Sequence, residues 1–468
     1  MRLQPQSDMA SRTTFLLFFV NLLFVSWVSA APLIGGRVLA VLEEQSDSAK
    51  YSQFLVDLKG RGFDVKLESP KKDTLSLFKH GEKVWDHVIL FPPKSKGYGP
   101  ALTPQQLLEF TKLGGNVLIL TSPSSIPEQI RELARELGIG LPPKDYIAVD
   151  HFNYDTVSKS EKHDVILANR PAVSPAVHNY FSGKQGDLIA FRGAGHTLGN
   201  GPLLVPILTA PRTAYAYDSK EDFAYAQDPW AAGTQMQLIS AMQARNNARI
   251  TLAGSADMFS NEFFEMKVQR PGSVESRKTA NKEFCRDVAA WTFGEKGIVK
   301  VNAIRHYLSN EPDSPVNPNM YRIKNDATFE IELSEYDTDR WVPFKVPSGD
   351  SLQLEFTMLD PYYRIPLFPA STSSNYTTYA TSFKIPDQHG VFAFRVNYKR
   401  PYITYVDEKY SVTVRHFAHD EYTRSWDISG AWVWIAGIAV TITGWIGFCA
   451  LWLWSAPAAI KAGLKKTE

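Results

Sequence analysis

Few polar residues in this chain are spaced as a catalytic or metal-binding site requires. Asp337-Thr338-Asp339 has the D-x-D form that holds a divalent cation on a sugar-nucleotide donor. The motif lies in a polar stretch between strand-like segments, so a solvated turn is the favoured interpretation. His151 and Asp155 could act as a base and its orienting group, with His163-Asp164 nearby. No nucleophile is spaced near them, which favours a surface or capping role.

The other nucleophile patterns are incomplete. Ser255 follows Gly254 without the G-x-S-x-G context, no HExxH sequence occurs, and the ten His are scattered. Cys449 lies in an apolar C-terminal stretch, so Cys285 has no intrachain disulfide partner and is expected to be a buried apolar residue. The sequence therefore predicts no catalytic residue and no metal site.

A glycine-rich run resembles a dinucleotide-binding loop, but its spacing is wrong. Residues 193–199 read GAGHTLG, with one residue too many before the last Gly, and Pro202 interrupts any following helix. The loop after the first predicted strand, where the fingerprint belongs, contains no Gly. We expect residues 193–199 to form a turn-rich loop and this chain to bind no cofactor.

The composition is that of a folded protein. The chain has 468 residues, of which 44% are hydrophobic and 21% charged, and these values exclude disordered, collagen-like and coiled-coil classes. The net charge of +1 argues against a nucleic-acid-binding protein, which would carry a basic excess. A mean hydropathy of −0.21 excludes a polytopic transporter. The length indicates two to three domains.

The N-terminus has the pattern of a secretory signal peptide. Two arginines precede an apolar run at Phe15–Val25, and small residues at Val28–Ala30 predict cleavage after Ala30. The run is short for a membrane span of about 20 residues, which favours a signal peptide over an uncleaved anchor helix. The initiator is left open between Met1 and Met9.

The C-terminus predicts one transmembrane helix. Ala431 to Trp454 contains no charged residue and, as a helix, reaches about 36 Å, enough to cross a hydrocarbon core of about 30 Å. Lys461, Lys465 and Lys466 follow it, as the positive-inside bias expects of a cytosolic tail. Lys465 and Lys466 also match the register of a dilysine retrieval signal, a receptor-read address. We predict a single-pass type I protein of the endoplasmic reticulum membrane, with a lumenal N-terminal part.

Two further patterns concern the helix and the lumenal surface. Gly437, Thr441 and Gly444 fall at positions i, i+4 and i+7, and small residues at this spacing predict a helix-packing face. Asn375-Tyr376-Thr377 is an N-glycosylation acceptor in a turn-rich stretch and is expected to be glycosylated in a lumenal protein.

The lumenal part divides into an α/β pattern and an all-β pattern. From Arg37 to about Leu141, buried apolar runs alternate with helical spacing, which predicts a doubly wound, mostly parallel sheet. Such sheets bind ligands at the carboxyl ends of their strands, which are the loops Glu43–Ser48, Pro92–Gly99 and Thr121–Ser125. From Val301 to Val414, period-two segments predict a membrane-proximal β-sandwich. The resulting boundaries are signal peptide 1–30, α/β domain with a mixed extension 31–290, β-rich domain 291–427, transmembrane helix 428–456 and tail 457–468.

Taken in order, short segments of this chain resemble the non-catalytic 48 kDa subunit family of eukaryotic oligosaccharyltransferase, and the dilysine ending looks most like fungal members. The resemblance covers nearly the whole chain after the signal. The segments that carry it are Arg37–Leu42, Trp85–Phe91, Gly114–Leu120, Asp150–Asp155, Gly254–Phe259, Trp341–Phe344, Leu354–Pro361, Gly390–Tyr398, Arg415–Tyr422 and the apolar span with its lysine tail.

The resemblance implies a flavodoxin-like N-terminal domain, β-rich modules and a scaffold role without catalysis. The complex of this family transfers a preassembled oligosaccharide from dolichyl diphosphate to Asn of N-x-Ser/Thr sequons, and it uses a divalent cation. The implied partners are a catalytic polytopic subunit, small membrane subunits and a ribophorin-type subunit, with the translocon as a candidate neighbour. Two alternatives stay open. One is a lumenal carbohydrate-active enzyme that uses Asp337 and Asp339 or His151, and the other is a substrate-binding module built on the strand-end loops.

Overall fold

The fold was obtained as a computed structural model, which describes residues 32–72, 75–158, 160, 162–184, 186–220, 228–311, 313, 315–422 and 430–455. The predicted signal peptide and the tail with Lys465 and Lys466 lie outside the described residues. Among these residues, more lie in strands than in helices. The helices are α1 Ser52–Gly60, α2 Pro104–Lys112, α3 Glu128–Leu137, α4 Asn261–Glu265, α5 Asn281–Thr292 and α6 Ala431–Trp454.

Strands longer than two residues are numbered in chain order. In the first half they are β1 Arg37–Val41, β2 Asp64–Glu68, β3 His87–Leu90, β4 Asn116–Leu120, β5 Tyr146–Val149, β6 Ile166–Asn169, β7 Leu188–Phe191, β8 His196–Leu198, β9 Leu204–Thr209, β10 Tyr215–Asp218, β11 Met236–Gln243 and β12 Arg249–Ala253. In the second half they are β13 Lys296–Leu308, β14 Met320–Arg322, β15 Asp326–Asp337, β16 Arg340–Pro343, β17 Gln353–Thr357, β18 Pro361–Pro366, β19 Phe368–Thr372, β20 Thr377–Lys384, β21 Gly390–Tyr398 and β22 Val406–Arg415. Two-residue strands occur at Phe78–Lys79, Glu82–Lys83, Ile139–Gly140, Ala231–Ala232, Lys267–Val268 and Arg277–Lys278.

The first half is built on a nine-stranded sheet with a parallel core in the order β2-β1-β3-β4-β12. Successive strand residues enter different cores: Val38 and Ala40 pack with α1 and α5, whereas Leu39 and Val41 pack with α2 and α3. Both faces of the strands are therefore covered, which explains their unbroken apolar sequences. The alternation of strand and helix predicted for this region is confirmed.

Local sequence signals place the helices on this sheet. The side chain of Thr103 accepts a hydrogen bond from the Gln106 amide at 3.3 Å, so it caps α2, and Pro104 is the first helical residue. The helix α3 begins after Pro127 and ends at Leu137, before Gly138, whose φ of 80° is the left-handed conformation that glycine adopts freely.

The sheet continues beyond its parallel core with antiparallel strands, which the sequence did not predict. β11 pairs with β12 on one edge and with β8 and β9 on the other. The expectation that residues 193–199 form only a loop is corrected, because His196–Leu198 is a strand. Gly193 has a packing role: a Cβ placed on it would come within 2.2 Å of the carbonyl oxygen of Gly254.

The second half contains two five-stranded sheets, one in the order β13-β15-β20-β19 with β16 beside β15, the other in the order β14-β22-β21-β17-β18. Their facing side chains form one core, in which the Phe329 and Phe394 rings lie 5.4 Å apart and the Phe356 and Phe383 rings 5.3 Å apart. The period-two segments of the sequence are strands of this sandwich.

A buried arginine joins the two halves. Arg249, the first residue of β12, donates hydrogen bonds to the carbonyl oxygens of Trp291, Lys296 (2.8 Å) and Gly297 (2.8 Å). Trp291 in turn donates from Nε1 to the carbonyl of Tyr402 at 2.7 Å, in the turn between β21 and β22. These bonds attach the sandwich to the parallel sheet.

The last described element is α6, whose bounds equal the predicted apolar span. Among the described residues it is the one helix long and apolar enough to cross a membrane. The coarse architecture is therefore a mixed α/β half, a sheet-rich half and a C-terminal apolar helix.

Candidate functional site

The loops after β1, β3 and β4 line one crevice of about 670 Å³ at the carboxyl ends of the parallel strands. This is the place where sheets of this kind bind ligands. The lining residues are Leu42, Asp47, Lys50, Tyr51, Phe91, Pro92, Pro93, Lys94, Ser95, Lys96, Ser122, Ser124, Ser125, Ile126, Pro127, Glu128 and Lys144. The three loops predicted from the sequence are thus brought together. We call this space the strand-end crevice.

A carboxylate at the end of β1 holds the first two loops together. Glu43 accepts hydrogen bonds from the backbone amides of Lys94 (2.6 Å) and Ser95 (2.8 Å), and its carboxylate lies 2.6 Å from Lys71 Nζ. The Lys71 contact and these amide donors keep the pKa of Glu43 below its usual value. Glu43 therefore has a structural role beside the crevice.

The lysines of the strand-end crevice fall into two groups. Lys94 Nζ lies 3.0 Å from Glu44 and 2.9 Å from Asp47, and its hydrogen bond lowers the pKa of Asp47. Lys96 and Lys144 are exposed and pair with no carboxylate of the described residues. The crevice thus has two ammonium groups available to a ligand.

Hydroxyl groups complete the polar lining. The Ser122 and Ser124 hydroxyls lie 3.3 Å apart, and Ser125 donates to the carbonyl oxygen of Pro93. No imidazole or thiol lines the crevice among the described residues. This arrangement can bind an anionic or oxygen-rich ligand, but among the described residues no imidazole is placed beside a serine to activate it.

The other chemical candidates are dispersed. Asp337 and Asp339 flank a tight turn between β15 and β16, where Thr338 has a φ of 61° and its amide bonds the Glu295 carbonyl at 2.9 Å. The described residues contain no group of three or more His, Cys, Asp or Glu placed to hold a metal ion. The D-x-D motif therefore forms a turn, which is the interpretation that its sequence context favours.

The base-and-orienter pair is not formed. His151 Nδ1 lies 2.7 Å from His163 Nδ1, and its Nε2 lies 2.9 Å from the Tyr215 hydroxyl. Asp155 instead accepts hydrogen bonds from the amides of Ser158 and Gln269, both at 2.9 Å. The carboxylate is occupied by an amide of its own loop and by that of Gln269 from a distant segment, and the ring nitrogens of His151 bond His163 and Tyr215 instead.

The remaining nucleophile candidates are structural. Ser255 donates to the carbonyl of Arg192 at 2.6 Å. Cys285 is fully buried, its thiol lies 3.4 Å from the carbonyl oxygen of Met258, and burial raises the pKa of the thiol. The expectation of a buried, unpaired Cys285 is confirmed.

The two predicted surface features occupy exposed positions. Asn375 lies in the turn between β19 and β20, and its backbone carbonyl accepts a hydrogen bond from Ser334 at 2.6 Å. Gly437, Thr441 and Gly444 lie on one face of α6, where no side chain of the described residues contacts the two glycines. Their roles in glycosylation and helix packing stay predictions.

Lys50 and Lys144 belong to the strand-end crevice but were not found from the sequence. Lys50 follows the predicted loop within a 3-10 helix. Lys144 comes from a loop after α3 and reaches the crevice only through tertiary packing. A Pro-Pro-Lys segment carries no local signal for that placement.

Two family models match this chain. One, described as "OST48, N-terminal domain", matches residues 29–295, and the other, described as "OST48 middle domain", matches residues 306–456. Among solved structures, a ThuA-like protein from Parabacteroides merdae is 15% identical to this chain. The alignment covers 55% of this chain and 89% of that protein, with a TM-score of 0.27. A Niemann-Pick type C2 protein from the Japanese carpenter ant covers 26% of this chain with a TM-score of 0.17. Neither score defines the fold.

Curated relatives align over almost the full length. The chain is 35% identical over 437 residues to the dolichyl-diphosphooligosaccharide–protein glycosyltransferase subunit wbp1 of Schizosaccharomyces pombe, covering 93% of this chain and 96% of the relative. It is 30% identical to the 48 kDa subunit of Caenorhabditis elegans (94% and 96% covered) and 30% identical to subunit WBP1 of Saccharomyces cerevisiae (93% and 95% covered). The chain therefore belongs to the OST48 family.

Proposed function

We infer that this protein is a subunit of a dolichyl-diphosphooligosaccharide–protein glycosyltransferase and works as a scaffold without catalysing the transfer itself. The observation that carries the proposal is the alignment of named subunits along 93–94% of the chain at 30–35% identity. The dispersed candidate residues support the non-catalytic part, since no base, nucleophile and orienting group meet among the described residues.

The finer architecture is part of the proposal. The parallel strand order β2-β1-β3-β4-β12 has the pattern 2-1-3-4-5 of flavodoxin-type sheets, which supports a flavodoxin-like N-terminal domain. A division near residue 290 places the sandwich in a separate domain. It is supported by the separate core of the two five-stranded sheets.

Location and partners are further proposals. A type I orientation in the endoplasmic reticulum membrane is supported by the single apolar helix and by the basic residues predicted to follow it. Lys465 and Lys466 would address the chain to that membrane, and Asn375 would carry a lumenal glycan. Partners would be a catalytic polytopic subunit, small membrane subunits and a ribophorin-type subunit, which use the dolichyl-linked oligosaccharide and a divalent cation. The translocon is a further candidate neighbour.

Purification of the tagged full-length chain in mild detergent tests the subunit proposal. We expect a polytopic glycosyltransferase to copurify, and the eluate to glycosylate an acceptor peptide that contains N-x-Thr. Recovery of the chain alone, without transfer activity, would contradict the proposal. Transfer by the isolated chain that is lost in Asp337→Ala would instead favour the lumenal enzyme.

The strand-end crevice supports a second candidate function, a ligand-binding module. Its available lysines and serines suit a phosphate-bearing or oxygen-rich ligand, and inorganic diphosphate is a suitable probe. We expect calorimetric titration of the full-length chain with diphosphate to give a binding heat. The heat should be lost in the double variant Lys96→Ala/Lys144→Ala and kept in Lys112→Ala, whose lysine pairs with Glu109 at 3.1 Å on the surface of α2. No binding by the wild type would reject this candidate.

A further inference from the structure

The sandwich has two different ends. At one end, the turn between β21 and β22 contacts the α/β half: Trp291 donates from Nε1 to the Tyr402 carbonyl at 2.7 Å, and Gln243 donates to the Ile403 carbonyl at 2.7 Å. At the other end Gly390 pairs with Val414, the second-to-last residue of β22. Since β21 has nine residues at about 3.4 Å each, the two ends lie about 30 Å apart.

The chain stays at this second end until shortly before the apolar helix. Arg415 forms a bidentate ion pair with Glu421 (2.6 and 2.7 Å), and Phe417 lies under the Arg322 guanidinium at 5.0 Å. From Tyr422 to Gly430 there are only eight residue steps, which span at most about 29 Å. The second end of the sandwich is therefore tethered within about 29 Å of the start of α6.

An apolar patch is exposed at this end. It consists of Met358, Leu359, Tyr362 and Val391, and we call it the sandwich tip. Leu359 is 95% exposed, Val391 64% and Tyr362 47%. A Cβ placed on Gly390 would lie 3.0 Å from Met358 Sδ, which shows that the β17–β18 loop adjoins the start of β21. Exposed apolar side chains grouped in this way mark an interaction surface.

The charges around the tip are balanced. Lys324 pairs with Asp387 at 2.7 Å, and Arg322 lies 3.8 Å from Glu421, which already pairs with Arg415. Because these charges are balanced, the surroundings of the tip suit a zwitterionic lipid surface better than a strongly charged partner. Asp360, beside Leu359, is exposed and limits any insertion to the level of the headgroups.

We propose that the sandwich tip rests in the headgroup region of the lumenal leaflet, with Leu359 and Val391 toward the acyl chains and Tyr362 at the interface. The tether favours lipid as the surface that covers the tip, because it joins the sandwich to the first turn of α6, where Trp432 and Trp434 mark the headgroup level. Apolar and aromatic side chains at the end of a soluble domain are stabilised there by burial of their surface. The sandwich would then stand on the membrane, with Asn375 and the α/β half turned away from it.

Site-directed spin labelling tests the proposal in the full-length chain, with any subunits that copurify, in dioleoylphosphatidylcholine nanodiscs. Cys285 is buried, so Cys449→Ala supplies the background for labels at Leu359→Cys and, as the matched control, at Gln353→Cys. Gln353 begins the same strand, β17, at its opposite end and is exposed. We expect the label at 359 to collide more with oxygen than with an aqueous nickel chelate, and the label at 353 to show the reverse.

Two outcomes would overturn the proposal. Free access of the nickel chelate to both labels would show that the tip is in water. Shielding of position 359 from both oxygen and the chelate would show that a protein subunit covers it. If Leu359→Cys does not fold, Val391→Cys on the neighbouring strand gives the same readout. The result does not depend on membership of a complex, because the tether and the tip belong to this chain.

Discussion

At the scale of single residues, a buried histidine shows how neighbouring groups fix a protonation state. The Asn116 side chain accepts from the Arg249 amide at 2.9 Å, so its NH₂ group faces His87 Nδ1 at 3.2 Å. His87 Nδ1 must therefore accept, and its Nε2–H donates to the Gly35 carbonyl at 3.0 Å. Burial is the main reason that the pKa of His87 falls to about 4. Asp86 acts against the shift, and Lys83 adds to it.

This pKa predicts a loss of stability in acid. Unfolded His has a pKa of about 6.5, so below that pH the unfolded chain binds a proton that the folded chain refuses. The contribution of neutral His87 is present above pH 6.5 and is lost as the pH falls to 4, by about 3 kcal/mol at about 1.4 kcal/mol per pH unit. In urea denaturation of the solubilised chain, His87→Gln should lower the free energy of unfolding at pH 7 and flatten its decline toward pH 4.

An exposed histidine provides the control for that series. His419→Gln should leave both the stability and its pH dependence unchanged. Two more buried histidines act in the same direction: burial lowers the pKa of His196 to about 3 and that of His306 to about 4. The free energy of unfolding of His87→Gln will therefore still decline toward pH 4, although less steeply than that of the wild type. Equal pH slopes for wild type and His87→Gln would contradict the assignment of His87 as a neutral, buried group.

At the scale of elements, the sequence predicted what local patterns determine. The unbroken apolar runs Val38–Leu42 and Val117–Leu120 mark β1 and β4, and the Thr103-Pro104 pair is a local signal for the start of α2. The period-two segments located the strands of the sandwich. These signals are local because a strand buried on both faces needs an apolar side chain at every position.

The antiparallel part of the large sheet lacked such a signal. β11 is buried throughout but contains Gln237, Ser240 and Gln243. Their partners come from distant segments: Thr209 at 2.8 Å, His196 at 2.6 Å and the Ile403 carbonyl at 2.7 Å. The same dependence on distant segments explains why some residues of the crevice were predicted from the sequence and others were not. The three loops of the strand-end crevice follow from strand order, whereas Lys144 reaches it through packing that no local pattern records.

The apolar helix carries the prediction that belongs to this scale. Gly444→Leu should weaken association of α6 with a neighbouring helix, because a bulky side chain prevents close approach of the two backbones. Insertion should be unaffected, since Leu is apolar. Recovery of membrane partners with the tagged chain measures the effect. Ala439→Leu makes a similar small-to-large change on the opposite face and should recover them normally. Equal recovery with both variants would reject the packing face.

At the scale of the whole molecule, the two halves depend on an arginine without a carboxylate partner among the described residues. Arg249 is fully buried, its guanidinium lies 4.4 Å over the Trp291 ring, and burial lowers its pKa to about 10. It stays charged at neutral pH, stabilised by the carbonyl oxygen of Trp291 in α5 and by those of Lys296 and Gly297 at the start of the sandwich. Gly297 permits this approach, since its φ is 71° and a Cβ there would lie 2.4 Å from the Tyr402 carbonyl.

Arg249→Met keeps the length of the side chain but removes the guanidinium donor from all three carbonyls, of which those of Trp291 and Gly297 keep the amides of Gly294 (3.2 Å) and Thr404 (2.9 Å). A hydrogen bond from a charged donor contributes about 1.5–3 kcal/mol, so we expect the removal of all three to cost about 3 kcal/mol or more in the free energy of unfolding. The unfolding midpoint of the solubilised chain, followed by Trp fluorescence, should fall by several degrees. Arg245→Met, an exposed residue close by in sequence, should leave the midpoint unchanged. An unchanged midpoint in Arg249→Met would show that packing around Trp291 and Tyr402, rather than the guanidinium, holds the sandwich against the sheet.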